Sequence, residues 1–239
     1  MIPLASDETQ NLQRISEASL YSAGVMQTAI EYCFKILRRH LRGDRILELG
    51  PAEGVMTERL VATGHRITVV EGSELFCRSL SERFTGVAVV HSLFEEYQPG
   101  QRFDTVVLGH VLEHVLDPAA LLDRLREWLE PGGCVFAAVP NARSLHRQAA
   151  VVMGLLRRED ELNEMDLHHG HRRVFNPETF RAVFYQAGLK IETFGGYWLK
   201  PVANRQIEAA WSPAMLDAYM QLGERYPDIA GEIYVVAHA

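Results

Sequence analysis

The chain has 239 residues, of which 47% are hydrophobic and 23% charged, enough for one α/β core with an added segment and too apolar for a disordered chain. Lys and Arg number 24 against 31 Asp and Glu, a formal charge of −7, which argues against a general nucleic-acid clamp but leaves room for a local basic pocket. Three dispersed cysteines, Cys33, Cys77 and Cys134, speak against a disulfide framework or a structural zinc site.

The start MIPLASDETQ carries no basic region followed by an apolar run, and no apolar stretch reaches membrane-spanning length. The simplest expectation is a soluble cytoplasmic protein with no membrane partner. Six of the ten histidines, His110, His114, His146, His168, His169 and His171, fall in one central stretch, and composition alone does not explain them.

In chain order, residues 11–42 predict a helix whose apolar face includes Val25, Ala29, Tyr32 and Ile36, stopped by Gly43. Arg45 to Leu49 reads as a strand running into a turn at Gly50-Pro51, and a helix over 53–63 ends at Gly64. Ile67 to Val70 is a second strand with Glu71 at its end, followed by a helix over 73–84. Val87 to Val90 and Phe103 to Leu108 are the third and fourth strands. A helix from Pro118 to Leu129 begins with proline in its first turn, and Pro131-Gly132-Gly133 turns into a fifth strand, Val135 to Val139.

The alternation then breaks. Residues 141–176 are polar, rich in His and Arg, and read as a lid or substrate segment. Asn176-Pro177-Glu178 opens a helix that ends near Gly188. Lys190 to Phe194 is a sixth strand, 203–223 a helical region and Glu232 to Val236 a final strand. Apolar strands alternating with helices predict a doubly wound, mostly parallel seven-stranded α/β sheet covered on both faces.

Ligands of such sheets bind beyond the carboxyl ends of the strands. Three features gather there: the turn Glu48-Leu49-Gly50-Pro51-Ala52-Glu53-Gly54, the carboxylate of Glu71, and the turn Val90-His91-Ser92-Leu93-Phe94. Glycines let a backbone approach a ligand closely, and a carboxylate at a strand end can accept two hydrogen bonds from a ribose diol.

With Phe103 to Val107, Leu112-Glu113-His114-Val115 and Leu129-Glu130-Pro131-Gly132-Gly133 in order behind them, these segments resemble the class I S-adenosylmethionine (SAM)-dependent methyltransferases. The resemblance is strong over residues 40–140. Ala52 replaces the middle glycine of the first motif, a departure the family often tolerates. Around Leu112 to Val115 the chain also resembles the ubiquinone-pathway O-methyltransferases, and as a whole bacterial methyltransferases of sugars and secondary metabolites.

The resemblance implies a Rossmann-like methyltransferase fold in one domain over 1–239. It would consist of an N-terminal helical cap at 1–43, a SAM-binding core at 44–140, a lid at 141–176, and a C-terminal part of the sheet and helices at 177–239. It implies that Glu48 and the loop Gly50, Pro51 and Gly54 pass under the methionine part of SAM. Glu71 and Gly72 would meet the ribose, Ser92, Leu93 and Phe94 the adenine, and the backbone at Gly109 and His110 the amino group. Tyr21 would close over the cofactor. The product would be S-adenosylhomocysteine (SAH).

A sulfonium methyl is already activated, so the protein has chiefly to align an acceptor and exclude water. A neutral histidine suits a hydroxyl acceptor as base, and His114, His171 and His146 are the candidates. Arg143, Arg147, His169, Arg172 and Tyr197 are the candidates for holding a small-molecule acceptor, in a pocket made locally basic by Arg143, Arg147, Arg172 and Arg173.

Each assignment has a plainer reading. His114 would be a helix-start residue, Arg143 and Arg147 a solvated helix face, 167–175 a surface loop, and Tyr197 and Trp198 core packing or a homodimer contact. A divalent metal on His110, Glu113 and His114 is a minority alternative, since His110 stands where a second acidic residue is wanted. Zinc on His168, His169 and His171 fits no defensible spacing.

The expected activity is methyl transfer to a hydroxyl or amine of a sugar or secondary metabolite. A non-catalytic SAM-binding protein and a protein or nucleic-acid methyltransferase are the alternatives. A nicotinamide-dependent oxidoreductase would want a third glycine after Gly50 and Gly54, and none follows at that offset.

Overall fold

Apolar runs that are buried on both faces form the centre of the molecule, and their amphipathic neighbours cover them. A computed structural model describes Leu12 and residues 22–239. Its strands are Arg45–Leu49 (β1), Arg66–Glu71 (β2), Ala88–His91 (β3), Phe103–Gly109 (β4), Leu129–Pro140 (β5), Lys190–Tyr197 (β6) and Glu232–His238 (β7). The helices are Gly24–Leu37 (α1), Val55–Val61 (α2), Glu74–Arg83 (α3), Pro118–Trp128 (α4), Leu145–Val152 (α5), Glu164–His168 (α6), Pro177–Gln186 (α7), Asn204–Ala210 (α8) and Pro213–Arg225 (α9).

The seven strands form one sheet in the order β3-β2-β1-β4-β5-β7-β6. The first five are parallel. β7 runs antiparallel to both neighbours and separates β5 from β6. The doubly wound, mostly parallel sheet read from the sequence is the observed one.

Alternate side chains divide the core between two faces, as strand geometry requires. Leu47, Leu49, Val106 and Leu108 pack with Leu121 and Leu125 of α4 and Phe180 and Phe184 of α7. Ile46, Val107 and Phe136 pack on the other face with Ile36, Leu60 and Phe76 from α1, α2 and α3. Phe180 and Phe184, one helical turn apart, are fully buried and meet edge to face at 5.4 Å. Each such side chain contributes roughly 1.5–3 kcal/mol by leaving water.

The structure differs from the sequence expectation at three places. The 141–176 segment contains two short helices, α5 and α6. The helical region over 203–223 is broken at Trp211 and Ser212, because the Ser212 side chain caps α9 at Met215 N and Pro213 begins the new helix. β5 extends back through the expected Pro131-Gly132-Gly133 turn to Leu129, with an irregular register opposite Phe103 and Thr105. All three cysteines are buried and free. Among the described residues no helix is long and apolar enough to cross a membrane.

Candidate active site

A cavity of about 340 Å³ opens at the carboxyl ends of β1, β2 and β4. The turn after β1 forms one wall. Gly50 adopts a left-handed backbone (φ +65°), and a Cβ there would sit 3.1 Å from Val111 and 3.4 Å from Phe94. Ala52 takes the same left-handed region at φ 49°, which costs a side-chain-bearing residue roughly 1–2 kcal/mol. Its amide donates to Glu71 Oε2 at 3.2 Å, which offsets part of that cost. Gly54 lies outside the cavity. It begins α2 at φ +78°, where a Cβ would collide with Leu80 at 2.7 Å.

Glu71 ends β2 and is buried at the cavity wall. Its Oε1 accepts from Ser73 N at 2.8 Å, so backbone amides hold both oxygens and lone pairs remain for a ligand. Burial nevertheless pushes its pKa upward against those amides. Glu48 receives a hydrogen bond from Thr57 at 2.7 Å, yet burial drives its pKa up to about 8 and leaves it mostly protonated at neutral pH. Pro51, Gly72, Ser92, Leu93, Phe94 and Gly109 also line the cavity. Tyr21 lies outside the described residues.

Met26, Ile30 and Cys33 of α1 complete the wall. The sequence showed the apolar face of this helix but not that part of it faces a cavity.

After β4 the chain turns sharply at His110 (φ 60°), whose amide still donates to Ala138 O at 2.9 Å. Its ring lies between two buried carboxylates, Glu113 at 3.4 Å and Glu232 at 3.7 Å. Burial opposes charge on His110, but the pair of carboxylates outweighs it and raises the pKa to about 9. Both Glu113 oxygens are buried without a hydrogen-bond partner. Burial alone would raise the Glu113 pKa, and the neighbouring His110 holds it low. Tyr197 is fully buried, 3.5 Å from the His110 ring, and stacks on Tyr32.

His114 lines the cavity. Burial lowers its pKa to about 4, so the ring is neutral at pH 7. His171 meets it edge to face with centroids 4.8 Å apart, and Gly170 beside it reaches the cavity wall. The remaining lid histidines stand further back. His169 packs against His168 and His171, with burial lowering its pKa to about 4. His146 is tied through its amide to Lys200 O, and burial together with Lys200 lowers its pKa to about 3.

The expected basic pocket is not what the structure shows. The guanidinium of Arg143 is paired twice with Glu178, at 2.6 and 3.1 Å. Arg147 is buried against Asp166 and the carbonyls of Glu159 and Glu161. Arg172 donates to His114 O and Arg173 to Leu116 O, clamping the loop after β4. These cations hold the lid together, and none lines the cavity. The described lining carries Glu48, Glu53, Glu71, Glu95 and Glu96, with no Lys or Arg. An acidic wall of this kind suits a ligand that carries positive charge.

The structure assembles a different three-donor group from the one considered in the sequence. Glu113, His114 and His171 each bring one donor atom to within 4.8 Å of the others, a carboxylate and two imidazoles of the kind a divalent transition metal accepts. His110 is engaged with Glu232 as well as with Glu113.

Comparison with known proteins follows the same line. A methyltransferase domain family matches residues 21–193. The ubiquinone biosynthesis O-methyltransferase of Xanthomonas euvesicatoria pv. vesicatoria is 28% identical over 185 residues, which is 70% of this chain and 72% of that protein. The enzyme of the same name from Pseudomonas aeruginosa is 28% identical over 179 residues, covering 70% and 73%.

Among solved structures, the S-adenosylmethionine-dependent methyltransferase from Mesorhizobium loti superposes with a TM-score of 0.63 at 19% identity, over 87% of this chain and 98% of that one. The N-methyltransferase NodS from Bradyrhizobium japonicum, in complex with S-adenosyl-L-homocysteine, gives 0.59 at 14%, over 96% of each chain. The chain therefore belongs to the methyltransferase domain family, and within it to the class I SAM-dependent methyltransferases.

Proposed function

We propose that the cavity at the ends of β1, β2 and β4 binds SAM and that this protein methylates a hydroxyl of a small-molecule acceptor. The observation that carries the reading is Glu71: a buried carboxylate at the end of the second strand, aligned by backbone amides and open to the cavity. Such a group pairs with a ribose diol at the strand edge where open α/β sheets bind their ligands.

In this reading Gly50 and Pro51 lie under the methionine part, with Glu48 beneath them and Gly54 shaping the start of α2. Gly72 joins Glu71 at the ribose. Ser92, Leu93 and Phe94 border the adenine, and the backbone at Gly109 and His110 faces the amino group. SAM supplies an activated methyl on a cationic sulfonium, and the carboxylate-rich wall suits that charge. Met26, Ile30 and Val115 exclude water from the methyl side. His114, on the cavity wall, and His171, in contact with it, would serve the acceptor as wall and base. Arg143, His146 and Arg147 act through the lid.

The described wall has no Lys or Arg, and its one raised histidine, His110, is already matched by Glu113 and Glu232, which favours an acceptor without phosphate or carboxylate groups. The same acidic lining supports an amine as the second class of acceptor. The test is calorimetry with SAM and SAH: one molecule of either should bind per chain, and Glu71→Ala should weaken it. Failure of both ligands to bind at millimolar concentration would reject the proposal. Acceptors can then be screened by release of SAH.

A further inference from the structure

Behind the cavity wall a line of buried side chains runs from the lid to the edge of the sheet. Arg147 Nη1 donates to Asp166 Oδ2 at 3.0 Å. The other oxygen of the same carboxylate, Oδ1, lies 3.2 Å from His171 Nδ1. The side chains of Arg147, Asp166 and His171 are no more than a tenth exposed. The backbone reinforces the arrangement, because His171 N donates to Asp166 O at 2.8 Å and Asp166 closes a capping box with Asn163 at the start of α6. Beyond His171 the ring of His114 reaches the cavity.

A lid staple would need only part of this. Arg147 already holds the carbonyls of Glu159 and Glu161, and Asp166 Oδ2 already serves Arg147 and the amide of Asn163. Oδ1 goes to the imidazole instead. A carboxylate accepts and does not donate, so a neutral ring facing it must carry its proton on Nδ1, and the lone pair then resides on Nε2. Burying an ion pair such as Arg147–Asp166 adds little net stability compared with apolar packing, so its orienting effect is the more consequential one.

From this geometry we infer that Asp166, fixed by Arg147, is a positioning residue that holds His171 as the Nδ1–H tautomer with Nε2 free to accept a proton beside Glu113 and His114. The inference rests on the methyltransferase reading and adds the origin of the base. In the step it serves, the O–H bond of the acceptor hydroxyl breaks and an N–H bond forms at Nε2. The electron pair stays on oxygen for attack, and the imidazolium is balanced by Asp166. Orienting a histidine in this way is the role that a buried carboxylate plays in other general-base pairs.

The test uses the full-length protein labelled with ¹⁵N-histidine, saturated with SAH at pH 7.5, with the His171 signal assigned by its loss in His171→Gln. Long-range ¹H–¹⁵N spectra should show His171 protonated at Nδ1. In Asp166→Asn the side-chain amide offers a donor, so the ring should shift toward the Nε2–H form while SAH affinity changes less than about threefold. Arg147→Lys should leave the tautomer mixed. An Nε2–H ring in the wild type, or an unaltered Nδ1–H ring in a folded Asp166→Asn, overturns the inference. The wild-type spectrum decides the matter even if the variant does not fold. Failure of the wild type to bind SAH would instead count against the parent reading.

Discussion

His114 and His171 meet edge to face at 4.8 Å, although one follows the fourth strand and the other lies beyond the fifth. The contact joins the loop after β4 to the lid, and Arg172 strengthens it by donating from its backbone to Glu113 O and from its side chain to His114 O. Acceptor chemistry is therefore expected to depend on both segments. With an acceptor found by screening, His171→Ala should lower kcat by roughly 10²–10⁴, the usual worth of a general base, while SAH affinity by calorimetry stays within a few-fold. Full turnover in that variant would remove His171 from the chemistry.

In the proposed SAM site, Glu71 is the residue that holds the ribose. A hydrogen bond to a charged group contributes about 1.5–3 kcal/mol, so Glu71→Ala should weaken SAH binding by about ten- to a hundredfold. Glu71→Gln should fall between the two, since an amide oxygen still accepts. Calorimetry separates the three proteins, and equal affinity for SAH across them would sink the assignment.

The contribution of the buried histidines to stability should peak near pH 6.5. Burial lowers the pKa of His114 to about 4 and of His146 to about 3, so below 6.5 the unfolded chain binds protons that the native chain refuses. This contribution then falls with falling pH, at up to about 1.4 kcal/mol per pH unit for each histidine. His110 works the other way. Its pKa is raised to about 9 by Glu232 and Glu113 against burial, so its contribution is present below 6.5 and is lost as pH rises toward 9. Thermal melts from pH 4 to 9 check both limbs, and His146→Gln should flatten the acid one.

Gly223 fixes the packing of α9 on β6. A Cβ there would lie 2.2 Å from the backbone nitrogen of Trp198 and 2.3 Å from the carbonyl carbon of Tyr197. Trp198 is itself fully buried in a left-handed conformation at φ 63°, with little room to give way. Overpacking of this kind costs roughly 1–3 kcal/mol, and each kcal/mol lowers Tm by about 2–4 °C in a domain of this size. Gly223→Ala should therefore melt several degrees lower, and a Tm equal to that of the wild type would contradict the packing described.

Much of the fold was legible in local sequence. β1, β2 and β4 are apolar runs bounded by turn residues, and the motif around Glu48, Gly50 and Glu71 placed the cavity at their ends. What stayed hidden was set by distant partners. Arg147 reads as a helix-face cation until Asp166 is brought over it, and Arg143 until Glu178 meets it. The acidity of the cavity was missed for the same reason, since the lid arginines spend their donors on carbonyls and carboxylates. No residue near Glu232 announces that it will lie beside His110, and Asp166 carries no local pattern that points to His171.

The reversed strand has a consequence for the order in which the protein is made. Because β7 enters the sheet against the sense of its neighbours, its first residue, Glu232, arrives at the edge where the parallel strands end, and there it meets His110. A ribosome that has released the first five strands has delivered every residue of the SAM motifs, yet His110 still lacks one of its two carboxylates. The electrostatic setting of the site is complete only with residues 232–238 in place between β5 and β6. The charge on His110 should therefore depend on the pairing of β7 and not on the parallel strands alone.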